Sequence, residues 1–313
     1  MSEQPKKTVV FNPNEPTSGG NFLGHIWTSI AMTFALGIVA CAIYPTIIWV
    51  IAQTIFPNQA NGSLVDKNGN YTTKDSDAVG SYLLGQSFSA PQYFHPRPSA
   101  AGNGYDPTSS GGSNLGPLSD KLINGVTNPA TTQPTTQPET LAYDGVRLRT
   151  IHYAVDNGIP FKLFHAVYVK NADGTVTLER KDEVPLSQFQ NKDGSLNDVA
   201  LVDAFPHPTL GNDYPAFTRT VLIAGDFGTL IPGDAVTSSG SGLDPHISPD
   251  NAELQKHRVA TARGITDDEV DALIQAHTDS RQLGFLGDPG VNVLALNLAL
   301  DQKYPMPTTQ PSK

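Results

Sequence analysis

The chain has 313 residues, 38% of them hydrophobic and 16% charged, and a formal net charge of −10 at pH 7. This length allows one or two domains with a sizeable core. The acidic balance argues against nucleic acid as a partner, because phosphate binding requires a basic surface. The single cysteine, Cys41, excludes an internal disulfide.

The N-terminal part contains one long apolar segment. Residues 1–21 are polar and without periodicity, which predicts a disordered tail. Residues 21–65 contain no Asp, Glu, Lys or Arg, and their apolar heart, 30–51, is 22 residues long. As a helix it would measure about 33 Å, enough to cross the hydrocarbon core of a bilayer. We therefore predict a transmembrane helix over 26–51.

Two features refine this membrane anchor. Trp27 and Trp49 stand 22 residues apart, where the two interfacial belts should fall. Pro45 lies inside the apolar run, and we expect it to kink the helix. A signal peptide cleaved near Cys41 would end at its cleavage site, whereas this run continues ten residues further. The anchor is predicted to be uncleaved.

The orientation of the anchor follows from its flanking charges. Lys6 and Lys7 precede the helix, and cytoplasmic flanks are enriched in basic residues. This favours a cytoplasmic N-terminus and an extracytoplasmic soluble domain.

The first soluble part, 57–126, is predicted to contain short elements. A hairpin should pair residues 63–65 with 71–73 across a Lys-Asn-Gly-Asn turn. A strand is expected over 81–88, and a short helix over 118–126.

Between these elements lies a loop, 93–116, that is rich in Gly, Ser, Asn and Pro and also carries large side chains. Linkers rarely contain so many aromatic residues, so we expect a folded loop that binds a partner. The candidate contact residues in this loop are Tyr93, Phe94, His95, Arg97, Ser99, Tyr105, Ser110, Gly111, Gly112, Ser113 and Asn114.

Residues 127–231 differ in texture. The segment 127–140 is a low-complexity Thr/Gln/Pro spacer. Beyond it, 161–170 and 175–180 predict a hairpin and 218–223 another strand, so 141–231 is predicted to be either a small β-rich module or a long structured excursion. It carries the histidines His152, His165 and His207, but without metal-ligand spacing, and no metal site is predicted.

The region 232–301 is predicted to be helical, followed by a disordered tail at 302–313. Ser248 and Pro249 should open a helix that Gly264 ends. Thr266 and Glu269 form a capping-box pattern that opens a second helix, to about His277. Residues 291–300 are a third helix candidate, although a strand remains open for so short an apolar run.

No catalytic residues are predicted from the residues alone. The Gly/Ser run 109–114 could form an anion-binding nest, but it lacks the lysine of a phosphate-binding loop. Asp244 and His246 are not accompanied by a nucleophile elbow, and Asp244-Pro245 is better interpreted as a turn.

Two long blocks of the sequence resemble a known family. The first contains IYPTIIWVIAQTIFPNQANGSL, GSYLLGQSF and YFHPRPSAAGNGYDPTSSGGSNLGP; the second contains SGSGLDPHISPDNAELQKHRVATARG and LGDPGVNVLALNLALD. Together, over 22–118 and 234–301, they resemble the C subunit of the Kdp potassium-transporting P-type ATPase. The residues between the blocks form an insertion relative to the family, which we place at 127–231.

The resemblance implies the fold class and the partners. It implies one N-terminal transmembrane helix and an extracytoplasmic α+β (α/β) domain, in the bacterial inner membrane. It also implies an accessory subunit, without catalysis of its own, that supports assembly of a channel-like potassium-binding subunit and a P-type ATPase subunit. Potassium would be handled by those partners. Further contact candidates are Leu243, Asp244 and Arg258, although Arg97 and Arg258 could equally lock the domain internally through bidentate pairs with carboxylates.

Two alternative functions stay open at this stage. Family descriptions suggest a nucleotide-binding chaperone that promotes ATP binding by the pump subunit, so ATP is a candidate ligand, although no firmly bound cofactor is expected. The other alternative is a stand-alone anchored binding protein whose inserted module is the functional part.

Overall fold

The computed structural model describes residues 22–128, 140–205, 220–224 and 229–306. The chain divides into two units, Met1–Asn61 and Gly62–Lys313. The predicted tail at 1–21 and most of the predicted spacer lie outside the described residues. The predicted C-terminal tail begins too early, because residues 302 and 303 still belong to the last helix.

The first unit is one apolar helix followed by a short helical turn. It comprises α1 (Phe22–Ile38), a π-helical turn (Val39–Ile43), α2 (Tyr44–Ile55) and α3 (Pro57–Ala60). The 34 residues of Phe22–Ile55 are long and apolar enough to cross a membrane by length and composition. The helix is thus longer at both ends than the span predicted over 26–51.

The π-helical turn explains how the helix accommodates Pro45. Proline lacks an N–H, and its ring crowds the carbonyl four residues earlier, here that of Cys41. In the preceding turn the N–H of Tyr44 donates to the carbonyl of Val39, which is the wider i→i−5 spacing. The sequence predicted a kink at Pro45, and the structure shows a π-helical turn directly before it.

The second unit is a mixed body of helices and strands. Its helices are α4 (Asp120–Asn124), α5 (Val146–Asp156), α6 (Asp198–Ala204), α7 (Gly233–Val236), α8 (Pro249–Arg263), α9 (Asp267–Ala276) and α10 (Val293–Lys303). Its strands are β1 (Leu64–Asp66), β2 (Ala78–Ser81), β3 (Val126–Asn128), β4 (Thr140–Tyr143), β5 (Leu163–Lys170), β6 (Val176–Val184), β7 (Thr220–Ala224), β8 (His246–Ile247), β9 (Thr278–Asp279) and β10 (Gly290–Asn292).

The first hairpin is confirmed in part. The Asp66 carboxylate accepts the N–H groups of Asn68 and Asn70 and closes a tight turn, after which Val65 bridges Tyr71 and the N–H of Thr72 donates to the carbonyl of Leu64. Strand β1 also pairs antiparallel with β2, which was not predicted.

The predicted strand over 81–88 is wrong. The strand ends at Ser81, whose Oγ donates to the carbonyl of Gly62 and accepts the N–H of Leu83. These two bonds turn the chain and prevent the strand from continuing.

The C-terminal helices confirm the capping signals. Ser248 Oγ accepts the N–H of Asn251 at 3.1 Å and begins α8, and Gly264 ends it with φ of +69°. Thr266 and Glu269 form the complete capping box of α9. The 291–300 segment divides into strand and helix: β10 joins a three-stranded antiparallel sheet of order β8-β10-β9, and α10 follows directly.

The region predicted to be β-rich contains both kinds of element. The β5–β6 hairpin is confirmed, and β7 pairs with the other edge of β5. Helices α5 and α6 were not predicted. Leu148, Ile151 and Ala154 on α5 recur every three residues and are buried, which is the signal of a helix face.

Two separate groups of buried apolar residues hold the second unit together. The helical core is formed by α8, α9, α10, β8, β10 and the loop; its buried residues are Phe94, Ile247, Ala252, Val259, Ala260, Val270, Leu273, Ile274, Val291, Val293, Leu296 and Leu300. The hairpin core contains Leu148, Ile151, Leu163, Val184, Leu201, Val202 and Phe205.

Candidate functional site

The loop at 93–116 is fastened to the helical core at its first residues. The Phe94 side chain is fully buried there. Its N–H donates to Asn297 Oδ1 at 2.8 Å and its carbonyl accepts from Asn297 Nδ2 at 3.0 Å. Asn297, only 1% exposed, thus satisfies both backbone groups of one loop residue. The Phe94 side chain is therefore a core residue, and it offers no exposed surface to a partner.

Tyr93 is held by a charged pair that the sequence did not reveal. Its hydroxyl donates to Asp301 Oδ2 at 3.0 Å, and Arg263 Nη2 lies 2.8 Å from Asp301 Oδ1. The Arg263 guanidinium lies 5.0 Å from the centre of the Tyr93 ring, and its side chain is fully buried. Burial, followed by the bond to Asp301, raises the pKa of Tyr93.

His95 is tied to α8 through its backbone. Its N–H donates to Gln255 Oε1 at 2.7 Å, and its carbonyl accepts from Gln255 Nε2 at 3.1 Å. Burial, together with the nearby charge of Arg258, lowers the pKa of the His95 imidazole. At neutral pH this histidine is therefore an uncharged part of the packed loop.

Arg258 joins three parts of the unit. Its Nη1 donates to the carbonyls of Pro91 and Tyr93 at 2.7 and 2.9 Å, and its Nε to Asn157 Oδ1 at 3.0 Å. Burial lowers its pKa. Of the two roles left open for Arg258, the structure shows the internal lock, but carbonyl and amide oxygens supply it instead of a bidentate carboxylate.

Arg97 forms the second half of the internal lock. Its Nη1 lies 3.0 Å from Asp244 Oδ2, a single contact rather than a bidentate pair. Burial acts to raise the pKa of Asp244, but hydrogen bonds from His246 and the charge of Arg97 outweigh it and lower this pKa. Asp244 Oδ1 accepts the N–H of His246 at 3.0 Å, which confirms the predicted turn at Asp244-Pro245.

The tip of the loop packs against the segment 239–243. Ser99 Oγ donates to the carbonyl of Gly242 at 2.6 Å and accepts the N–H of Tyr105 at 2.8 Å. The Tyr105 hydroxyl donates to the carbonyl of Arg97, and burial raises its pKa to about 12. Leu243 is only 7% exposed, so this predicted contact residue lies mostly beneath the loop.

Part of the Gly/Ser run at 109–114 is also hydrogen-bonded to the segment 239–243. The N–H of Gly111 and the Oγ of Ser110 both donate to the carbonyl of Ser241, at 2.8 and 3.1 Å. Gly112 approaches the backbone of Gly240, and Asn114 is exposed with φ of +54°. One of the N–H groups that an anion nest would need is therefore already bonded.

The region beyond the spacer docks on α8 through polar contacts. The Tyr153 hydroxyl, on α5, donates to Asn251 Oδ1 at 2.7 Å, and Asn157 meets Arg258 as described above. Burial raises the pKa of Tyr153, which stays protonated and donates. Asn251 is fully buried and also accepts from Gln255. These amides went unnoticed in the sequence because their partners lie far away along the chain.

Comparison with known proteins identifies the family. The model of the family "KdpC: K+-transporting ATPase, c chain" matches residues 26–146 and 218–302. Potassium-transporting ATPase KdpC subunits from Koribacter versatilis and Caulobacter vibrioides are 34% and 35% identical to this chain over 281 and 283 residues. These alignments cover 90% of this chain and 96% and 95% of the two relatives, respectively. The KdpC subunit of Mycobacterium tuberculosis is 34% identical over 274 residues, which is 88% of this chain and 96% of the relative.

The boundaries of the family match separate the two cores. All buried residues of the helical core fall within the matched segments, and all those of the hairpin core fall within 147–217, between them. The unmatched stretch is narrower than the insertion placed at 127–231. With two matched segments and relatives of this similarity, the chain belongs to the KdpC family, the c chain of K+-transporting ATPases.

Proposed function

We propose that this chain is a non-catalytic accessory subunit that supports assembly and stability of the channel-like and P-type ATPase subunits of a potassium pump. The observation that carries the proposal is the internal lock of the loop at 93–116. Arg97, Arg258 and Asn297 hold the loop to the helical core through backbone and side-chain bonds. Because these polar groups are hydrogen-bonded within the domain, the loop forms a rigid surface. A rigid surface suits a role in assembly.

The proposal includes a membrane anchor. Phe22–Ile55 is one apolar helix, and its tryptophans Trp27 and Trp49 are 72% and 63% exposed on the helix surface. Aromatic residues at these depths suit the two interfaces of a bilayer. With Lys6 and Lys7 before the helix, the proposed orientation has the N-terminus in the cytoplasm and the soluble domain outside, at the inner membrane.

Direct nucleotide binding is not part of the proposal. Gly111 N–H and Ser110 Oγ are bonded to Ser241. In the proposed orientation the domain also lies on the side of the membrane opposite to cytoplasmic ATP. Potassium would pass through the partner subunits.

The test is affinity purification of the tagged full chain from mild detergent, followed by a potassium-stimulated ATPase assay of the eluate. We expect a channel-like subunit and a P-type ATPase subunit to copurify with activity. Recovery of the chain alone, under conditions that preserve a control membrane complex, would refute the proposal. A reporter fused to the C-terminus tests the orientation separately.

A further inference from the structure

A short hairpin of the soluble unit presents apolar side chains to solvent. The hairpin, residues 281–288, is closed by mutual backbone bonds of 2.9 Å between Gln282 and Leu286. At its tip Leu283 and Phe285 are 82% and 70% exposed, and Leu286 is 48% exposed. Among the residues of 62–306 whose side-chain exposure the structure describes, no other four consecutive residues include three exposed large apolar side chains.

The exposed positions of these apolar side chains do not stabilise the isolated chain. Leu283 has φ of +53°, a left-handed conformation that Gly or Asn adopts at lower cost. The exposed Leu283 and Phe285 side chains bury little surface, so they gain little from the hydrophobic effect. An exposed apolar cluster rimmed by polar residues is typical of a protein interaction site.

An acidic pocket of about 610 Å³ adjoins the hairpin, and Gln282, Leu286 and Asp288 form one of its walls. Its ionisable lining residues are Arg97, Asp234, Asp244, His246, Asp279 and Asp288. Arg97 lies 3.0 Å from Asp244, Arg281 lies 3.0 Å from Asp288, and His246 lies 3.3 Å from Asp279. Even with His246 protonated, these three groups offset at most three of the four carboxylates, so the pocket keeps a negative charge. Although His246 and Arg281 contact them, the side chains of Asp279 and Asp288 are 79% and 88% exposed and remain accessible from solvent.

We propose that the hairpin tip and this pocket form one docking surface for a partner subunit of the pump. The partner segment would offer an apolar recess to Leu283 and Phe285 and a lysine or arginine to the pocket. The apolar tip provides the buried anchor, and the acidic lining selects a basic side chain. The inference rests on the proposed function, because the occupant is taken to be a subunit of the same assembly.

Charge favours a protein over a lipid surface as the occupant. Asp279 and Asp288 flank the hairpin, whose one basic residue, Arg281, is paired with Asp288, and the whole chain has a net charge of −10. Bilayer surfaces that contain anionic lipids attract basic segments and repel acidic ones.

The first test is photo-cross-linking in the full chain, coexpressed with the other pump subunits. A benzophenone amino acid replaces Phe285, or Leu118 as a matched control, which is 91% exposed. Irradiation of the membranes should join position 285 to a partner subunit, and position 118 should not form that adduct. Adducts only with lipid, or equal adducts at both positions, would overturn the inference.

The second test uses L283S/F285S against L118S. The double variant should lower recovery of the partner subunits by about tenfold or more, as loss of a buried aromatic anchor does. Its thermal melting should match the wild type, because the replaced side chains are exposed. Asp288→Lys should also lower recovery by reversing one charge of the pocket.

The outcomes separate this inference from the proposed function. If the wild-type chain recovers no partner subunit, both fail together. If the wild type recovers active pump and L283S/F285S recovers as much as L118S, only the docking surface is refuted.

Discussion

Replacement of Asn297 tests how the loop at 93–116 is fixed to the helical core. Asn297→Leu keeps a similar volume at a position that is 1% exposed, but it removes the acceptor for the Phe94 N–H and the donor to the Phe94 carbonyl. Each buried backbone group left without a partner costs about 1–3 kcal/mol. Because the loop can shift and admit water, we expect a total loss of about 2–4 kcal/mol in the local stability of the loop.

Hydrogen exchange followed by mass spectrometry reads this loss at the affected amide. Since 1.4 kcal/mol corresponds to a factor of ten, exchange in a peptide covering 88–97 should accelerate by about 30- to 1,000-fold. Gln302→Leu, at an exposed position of the same helix, is the matched control and should leave that peptide unchanged. If Asn297→Leu accelerates exchange no more than the control does, the two bonds do not hold the loop.

Three further predictions concern the loop, the acidic pocket and the unmatched stretch. Gly242→Ala should destabilise the domain by about 3 kcal/mol or more, because its φ is +68° and a Cβ would meet the Gly111 carbonyl at 2.6 Å. Gly264→Ala, with φ of +69° and nothing within 4 Å, should cost only about 1 kcal/mol; equal melting shifts would contradict the reasoning. His246 has a pKa raised above 6.5, mainly by its hydrogen bond to Asp244, so its protonated form stabilises the fold. That contribution is full below about pH 6.5 and is lost as pH rises through the folded-state pKa, so the melting difference between wild type and His246→Gln should be larger at about pH 5.5 than at about pH 8.5, and a constant difference would refute it. Replacing 147–217 by a short Gly/Ser linker removes the hairpin core as a whole, so potassium-stimulated ATPase activity of the coexpressed pump should persist; an inactive pump that still contains the shortened chain would show that the module is needed.

Features of the fold that depend on neighbouring residues were predictable from the sequence. The apolar segment, the caps at Ser248, Gly264 and Thr266, and the β5–β6 hairpin are each encoded within a few residues. The predicted strand at 81–88 failed because Ser81 Oγ bonds to the carbonyl of Gly62, 19 residues away along the chain. Strand β1 bridges Tyr71 as predicted and also pairs with β2, a second partner that the sequence did not indicate.

The site was predictable by location but not by the direction of its side chains. The sequence indicated a folded loop at 93–116 and left open whether Arg97 and Arg258 contact a partner or lock the domain internally. It could not show that Phe94 points into the core, since an aromatic residue suits a core as well as an interface. Arg263 and Asn297 were missed because nothing near them in the sequence marks their partners.

By itself, the sequence determined the apolar helix, the capped helices and membership of the KdpC family, because these depend on local patterns and long motifs. The tertiary structure alone decided the lock. The bonds from Arg97 to Asp244 and from Asn297 to Phe94 join residues 147 and 203 positions apart. Hydrogen bonds at that separation form only after the two halves of the domain pack together, so no local pattern records them.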